Sequence, residues 1–159
     1  MELPNGGSVR VRRALENDIP GLLDLLEAVA AEGRWIATEA PVDREDRAAR
    51  MKKSYFSGPA GRMFIAEIAG RIVGSAGVDN DRGLANVGMI VDRGHRGMGI
   101  GSRLLQFCIE WATSIGAHKM ILQVWPHNEP AIRLYEKFGF ERRDIDAPIT
   151  EGRTARSGM

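Results

Sequence analysis

Cysteine is nearly absent. Cys108 stands alone in 159 residues, so the chain has no disulfide framework and no thiolate metal cluster. Histidine is almost as scarce, and His95, His118 and His127 are not spaced as metal ligands. Net charge is close to zero: 22 basic against 21 acidic residues leave +1 at pH 7. That balance argues against nucleic acid or a membrane surface as a partner. Long apolar runs are missing too, and none approaches the roughly 20 residues that a bilayer span needs. The opening stretch "MELPNGGSVR" has no apolar signal-peptide core. The expected compartment is therefore the cytoplasm.

What is present is ordinary for a folded domain. Apolar residues make up 43% and charged residues 27%. One domain over residues 1–159 is expected, with 1–7 and about 150–159 as candidate flexible tails. "SVRVRRA" alternates and predicts a first strand at about 8–14. "NDIPGLLDLLEAVAAEG" predicts a helix capped by Asn17 or Asp18, and "DREDRAARMKKSYF" a charged helix capped by Asp43. "RMFIAEIAGRIVGSAGVDND" reads as two strands around the tight turn "AG". The turn "NDRG" then leads into a third strand, "LANVGMIVD". A helix from about Gly99 to Ile115 should bury Ile100, Leu104, Leu105, Cys108, Ile109 and Ala112, and Gly116 ends it. "HKMILQV" is a strand, "NEPAIRLYEKF" a helix capped by Asn128, and "GFERRDI" starts another strand. The order is β-α-α-β-β-β-α-β-α-β, with room for one more strand. It fits an α/β fold with a mixed, mainly antiparallel central sheet and helices on both faces.

The glycine-rich turn "HRGMGIG" between a strand and a helix is the feature most suited to a phosphate. The nucleotide P-loop spacing G-x-x-x-x-G-K-[ST] is not met. The dinucleotide fingerprint G-x-G-x-x-G is not met either, and no acidic residue ends the next strand. What remains is R-x-x-G-x-G, formed by Arg96, Gly99 and Gly101. "HRGMGIGSRLL" resembles the pyrophosphate-binding motif of the GNAT superfamily of acetyl-CoA-dependent N-acetyltransferases. "NEPAIRLYEKFGF" resembles that superfamily's second signature, and the element order matches over roughly 9–145.

The resemblance implies a GNAT-like fold whose fourth and fifth strands splay to admit the pantetheine arm, with acetyl-CoA as cosubstrate and no metal. Met89, Ile90 and Val91 would supply main-chain contacts to the arm. The turn residues Arg96, Gly97, Met98, Gly99, Ile100, Gly101 and Ser102 would surround the pyrophosphate. Asn128, Ala131, Tyr135 and Lys137 would complete the cofactor site. Tyr135 would be catalytic, protonating the leaving thiolate, since a phenol with a reference pKa near about 10 stays protonated at neutral pH. The two positions where relatives carry a Glu base hold Asn86 and Gln123, amides that take no proton near neutral pH. A water chain held by those amides and ending at Glu39 or Asp79 is one expectation; His127 as the base is another. Trp35, Glu39 and Trp125, with Asn86 and Gln123, are the candidate acceptor-binding residues.

The expected function is transfer of an acetyl group from acetyl-CoA to the primary amine of a small molecule. Protein or peptide N-acetylation is the alternative, and a non-catalytic CoA-binding sensor a further one. The family commonly forms dimers, so a homodimer is an open expectation.

Overall fold

The computed structural model describes residues 1–3, 6–143 and 152–157. Two tight turns organise its first half. Ala69 and Gly70 take φ of 50° and 81°, and Arg82 and Gly83 take 54° and 88°. Paired positive φ values match the right-handed twist of the flanking strands. They join β2 (Gly61–Ile68), β3 (Arg71–Asp81) and β4 (Leu84–Val91) into an antiparallel meander, and β1 (Arg10–Arg13) pairs antiparallel with β2. Strands β5 (Lys119–Val124), β6 (Glu141–Arg143) and β7 (Gly152–Ser157) extend the sheet through parallel pairs. The order is β1-β2-β3-β4-β5-β7-β6.

Strand β2 is buried on both faces because helices cover both. Met63 and Ile65 join Ala14 and Leu22, the latter on α1 (Ile19–Ala31), in one cluster. Met51 of α2 (Arg44–Met51) packs against the same cluster, as do Tyr55 and Phe56 of the wide π-helical turn Lys52–Phe56 that follows. Phe64 and Ala66 face the other way, into the main core with Ile100, Leu104, Leu105 and Cys108 of α3 (Ile100–Ser114). Short helix α4 (Glu129–Lys137) adds Ile132 and Tyr135 to that core.

Three expectations change. Trp111, not read as core, is 8% exposed with the Arg62 guanidinium 5.3 Å from its ring centroid, whereas Ile109 is only partly buried. The stretch 1–7 is no loose tail in its described residues: Leu3 is buried in the main core, and Glu2 bridges Ser8. Burial of one leucine anchors that return. Of the candidate tail at about 150–159, the described residues Gly152–Ser157 form β7, the further strand for which the element order left room, in the slot between β5 and β6; the rest lies outside the described residues.

Candidate active site

Strands β4 and β5 pair only over Leu84–Val87 and Lys119–Leu122. Beyond that point they part. Met89, Ile90 and Val91 stay bound to β3 alone, and Gln123 and Val124 to β7 alone. The backbone edge of β4 facing the gap is thus open to an added strand-like ligand.

Immediately after β4 the chain enters the glycine turn. Gly97 and Gly99 have φ of 74° and 84°, a region that side chains with a Cβ rarely adopt. Gly99 is also the residue from which α3 starts, so the first N–H groups of a 15-residue helix have no intrahelical acceptor there. They point their partial positive charge at the mouth of the gap. A cleft of about 580 Å³ opens on this turn, lined by Met89, Ile90, Val91, Arg96, Gly97, Gly99, Gly101 and Ser102. Asn128, Pro130, Ala131, Leu134 and Tyr135 line its other side. Of the residues expected here, Ile100 turns its side chain into the core and Met98 packs against it. Lys137 is exposed and lies off both cavity walls.

Arg96 is already engaged within the protein. Its Nη1 and Nη2 each donate to a Glu32 carboxylate oxygen at 2.7 Å, and its Nε donates to the Val91 carbonyl at 2.9 Å. The Trp35 indole N–H also donates to Glu32, at 3.0 Å. One carboxylate therefore ties the phosphate turn to the loop after α1. These bonds, Arg96 first, hold the Glu32 carboxyl below its ordinary value of 4.5. A depressed folded pKa stabilises fully above the unfolded value and loses that contribution as pH falls through the folded one. Glu32→Gln is thus expected to cost about 1 kcal/mol near neutral pH, or roughly 2–4 °C in Tm. The gap from wild type should close as pH drops below 4.5. Melting curves across that range test it; a gap that persists in acid would mean that the Glu32 charge is not what stabilises.

Tyr135 lies in the last turn of α4, 6% exposed and edge-on to Phe140 with ring centroids 6.2 Å apart. Burial pushes its phenol up to about 12. Asn128 caps α4, its Oδ1 accepting from the Ala131 N–H at 3.4 Å. Both residues line a second cavity as well, of about 440 Å³, which shares Trp35, Ile36, Met89 and Ile90 with the first. Its other walls come from α1, α2, the Lys52–Phe56 turn and β3. Gly77 makes room there, since a Cβ on it would lie 2.6 Å from Cζ of Tyr55.

Trp35, Trp125 and Gln123 line this second cavity. Glu39 and Asn86 do not; both are exposed. A water chain running from Gln123 through Asn86 to Glu39 is therefore not assembled at the cavity wall. Asp79 is off the wall too, its carboxyl pushed up by burial. His127 stacks beside Trp125 and near Trp35, with ring centroids 6.2 and 6.0 Å away, and its Nε2 is 2.6 Å from the Arg34 carbonyl. It closes the aromatic group from outside rather than lining either cavity. Among the described residues, neither cavity is lined by an Asp, Glu, His or Lys. Arg47 and Arg50 of α2, Ser75 of β3, and Tyr55 complete the wall. Sequence reasoning passed over all four, although Arg47, Arg50 and Met51 sit at the i, i+3, i+4 spacing of one helix face.

A family model described as the Acetyltransferase (GNAT) family matches residues 28–140. The L-methionine sulfoximine/L-methionine sulfone acetyltransferase of Pseudomonas aeruginosa is 30% identical over 144 residues, 84% of this chain and 81% of that protein. An uncharacterized N-acetyltransferase of Bacillus subtilis is 39% identical over 74 residues, 46% of this chain, and the chain spans only 27% of that protein. The yncA protein of Salmonella typhimurium, solved with its cofactor acetyl-CoA, superposes with a TM-score of 0.73 over 84% of this chain and 79% of its own, at 22% identity. That last likeness concerns the fold. Parted strands, a glycine turn opening a helix, and a matching family model across both lead to one conclusion: this chain is an acetyltransferase belonging to the GNAT family.

Proposed function

We propose that the protein transfers the acetyl group of acetyl-CoA to the primary amine of a small molecule by direct attack. The carrying observation is that two cavities, one on the phosphate turn and one among α1, α2 and β3, meet at Met89, Ile90, Asn128 and Tyr135. A thioester laid along the β4 edge would reach that junction from one side and an amine from the other. The cofactor brings the activated acetyl group. Everything else falls to the chain. The free N–H groups at the start of α3 meet the pyrophosphate charge, and the open β4 edge orients the pantetheine arm. Asn128 and Ala131 narrow the approach. Tyr135 holds a proton at its hydroxyl for the departing sulfur, and its raised pKa keeps that proton in place throughout the neutral range. The Pseudomonas relative is named for acetylating L-methionine sulfoximine and L-methionine sulfone, which supports a small-molecule acceptor here. An amine panel with acetyl-CoA, read by release of free thiol, tests the proposal. Thiol release no faster than hydrolysis with every amine would overturn it.

The cavity walls also predict the pH dependence. Among the described residues no carboxylate or imidazole lines them, so the amine is expected to arrive already neutral. The rate at limiting amine is expected to follow the acceptor's own pKa, near about 10.4 for an alkyl ammonium and about 8 for an α-amino group. It should rise with pH until that value is reached. A break between about pH 6 and 7, the same for amines of different basicity, would instead reveal a general base, with His127 the first residue to replace.

A further inference from the structure

We infer that the acceptor carries a carboxylate as well as its amine, and that Arg47 holds it. The inference rests on the reading of the smaller cavity as the acceptor site. Among the described residues, two positive side chains line that cavity, Arg47 and Arg50, and no negative one does. Arg47 differs from the ion-paired arginines, and from Arg62, which lies over the Trp111 ring. Arg12, Arg44 and Arg96 are each paired to carboxylates. Arg47, half-buried, gives one N–H to the Thr38 hydroxyl at 3.1 Å and has no carboxylate partner among the described residues. A guanidinium carries five donors, so four are left on a fork whose orientation the Thr38 bond fixes. That fork fits a carboxylate in a bidentate pair. Arg50, one turn on, adds positive charge and is only loosely engaged with Asp46, at 3.9 Å with both side chains exposed.

The cofactor is not the anion in question. Arg47 lines the acceptor cavity alone, whereas the phosphate turn lines the other cleft. Leu22, Leu26, Met51 and Met63 add apolar surface to the same cavity, beside the polar Ser54, Tyr55 and Ser75. A positive group and an acetyl-transfer junction on one cavity fit an amino acid, which brings a carboxylate and an amine together in one small molecule. A polyamine would bring a second cation against Arg47 with nothing to balance it. The same positive field disfavours an ammonium ion at the junction, which helps the amine to arrive neutral.

The test compares a panel of L-α-amino acids, L-methionine sulfone among them, each with its own carboxamide. The amine is kept and only the negative charge is removed. Two readouts are taken: kcat/KM for acetyl transfer, and calorimetric binding to protein saturated with CoA. At least one free acid should exceed its amide by about 10–100-fold, the range for a hydrogen-bonded charge pair. Arg47→Met should collapse that ratio toward one, Arg47→Lys should restore part of it, and CoA affinity serves as the check that each variant is folded. Acids and amides that bind and react equally with the wild-type protein overturn the carboxylate inference while transfer itself stands. An acid-over-amide preference in binding that Arg47→Met removes, without transfer to any amine, upholds the anion site and overturns the transfer reading instead. A wild-type protein that neither prefers the acids nor transfers overturns both.

Discussion

Tyr135→Phe is expected to lower turnover by about 10²–10⁴-fold, the range for loss of a general acid, with CoA affinity almost unchanged. The substitution keeps the ring that packs edge-on to Phe140 and removes only the hydroxyl, so stability should shift little. The sulfur would then leave as an unprotonated thiolate. Because burial holds the Tyr135 phenol at about 12, the wild-type enzyme should show no loss of activity from Tyr135 ionisation at any pH below that region. Single-turnover kinetics beside CoA calorimetry separate the two quantities. Wild-type turnover in the variant would remove Tyr135 from the chemistry.

The largest effect on cofactor binding is expected at Gly99. Its φ of 84° sits at the entry to α3, where any side chain is strained. Gly99→Glu adds a carboxylate where helix N–H groups would otherwise meet the pyrophosphate. A loss of CoA affinity of roughly 100-fold or more is expected from repulsion together with the displaced hydrogen bonds. Gly99→Ala carries the same backbone strain without the charge, and its Cβ would lie 3.2 Å from the flexible end of Met1. It should lose much less. If the two variants bind CoA alike, strain rather than charge governs the turn. Undiminished binding in a folded Gly99→Glu protein would place the pyrophosphate elsewhere.

Much of the molecule is determined by short stretches of sequence acting alone. The turns at Ala69–Gly70 and Arg82–Gly83 need only their own backbone preferences. Asp43 and Asn128 cap their helices by bonds three residues long, to Asp46 and Ala131. The glycine turn and the start of α3 are equally local. For these the periodicity and the capping residues contain the physics, and the order of elements followed directly.

What only the tertiary structure decided is which side chains face one another. Arg96 looks from its motif like a free cation at the phosphate turn, yet its partner Glu32 lies 64 residues away. Helix α2 reads as a charged helix, and its composition says nothing of the cavity that Arg47 lines. Asn86 and Gln123 look equivalent as amides in place of Glu, but only Gln123 reaches the wall. The parting of β4 from β5 after Val87 is likewise a property of the assembled sheet. A helix or strand pattern specifies which face is apolar. It does not specify what that face, or the polar one, will meet, because long-range contact depends on how separate elements dock. The chain's sequence therefore determined an α/β scaffold with a glycine turn opening a helix, and the docking of α1 and α2 over the sheet decided which charged side chains line the second cavity.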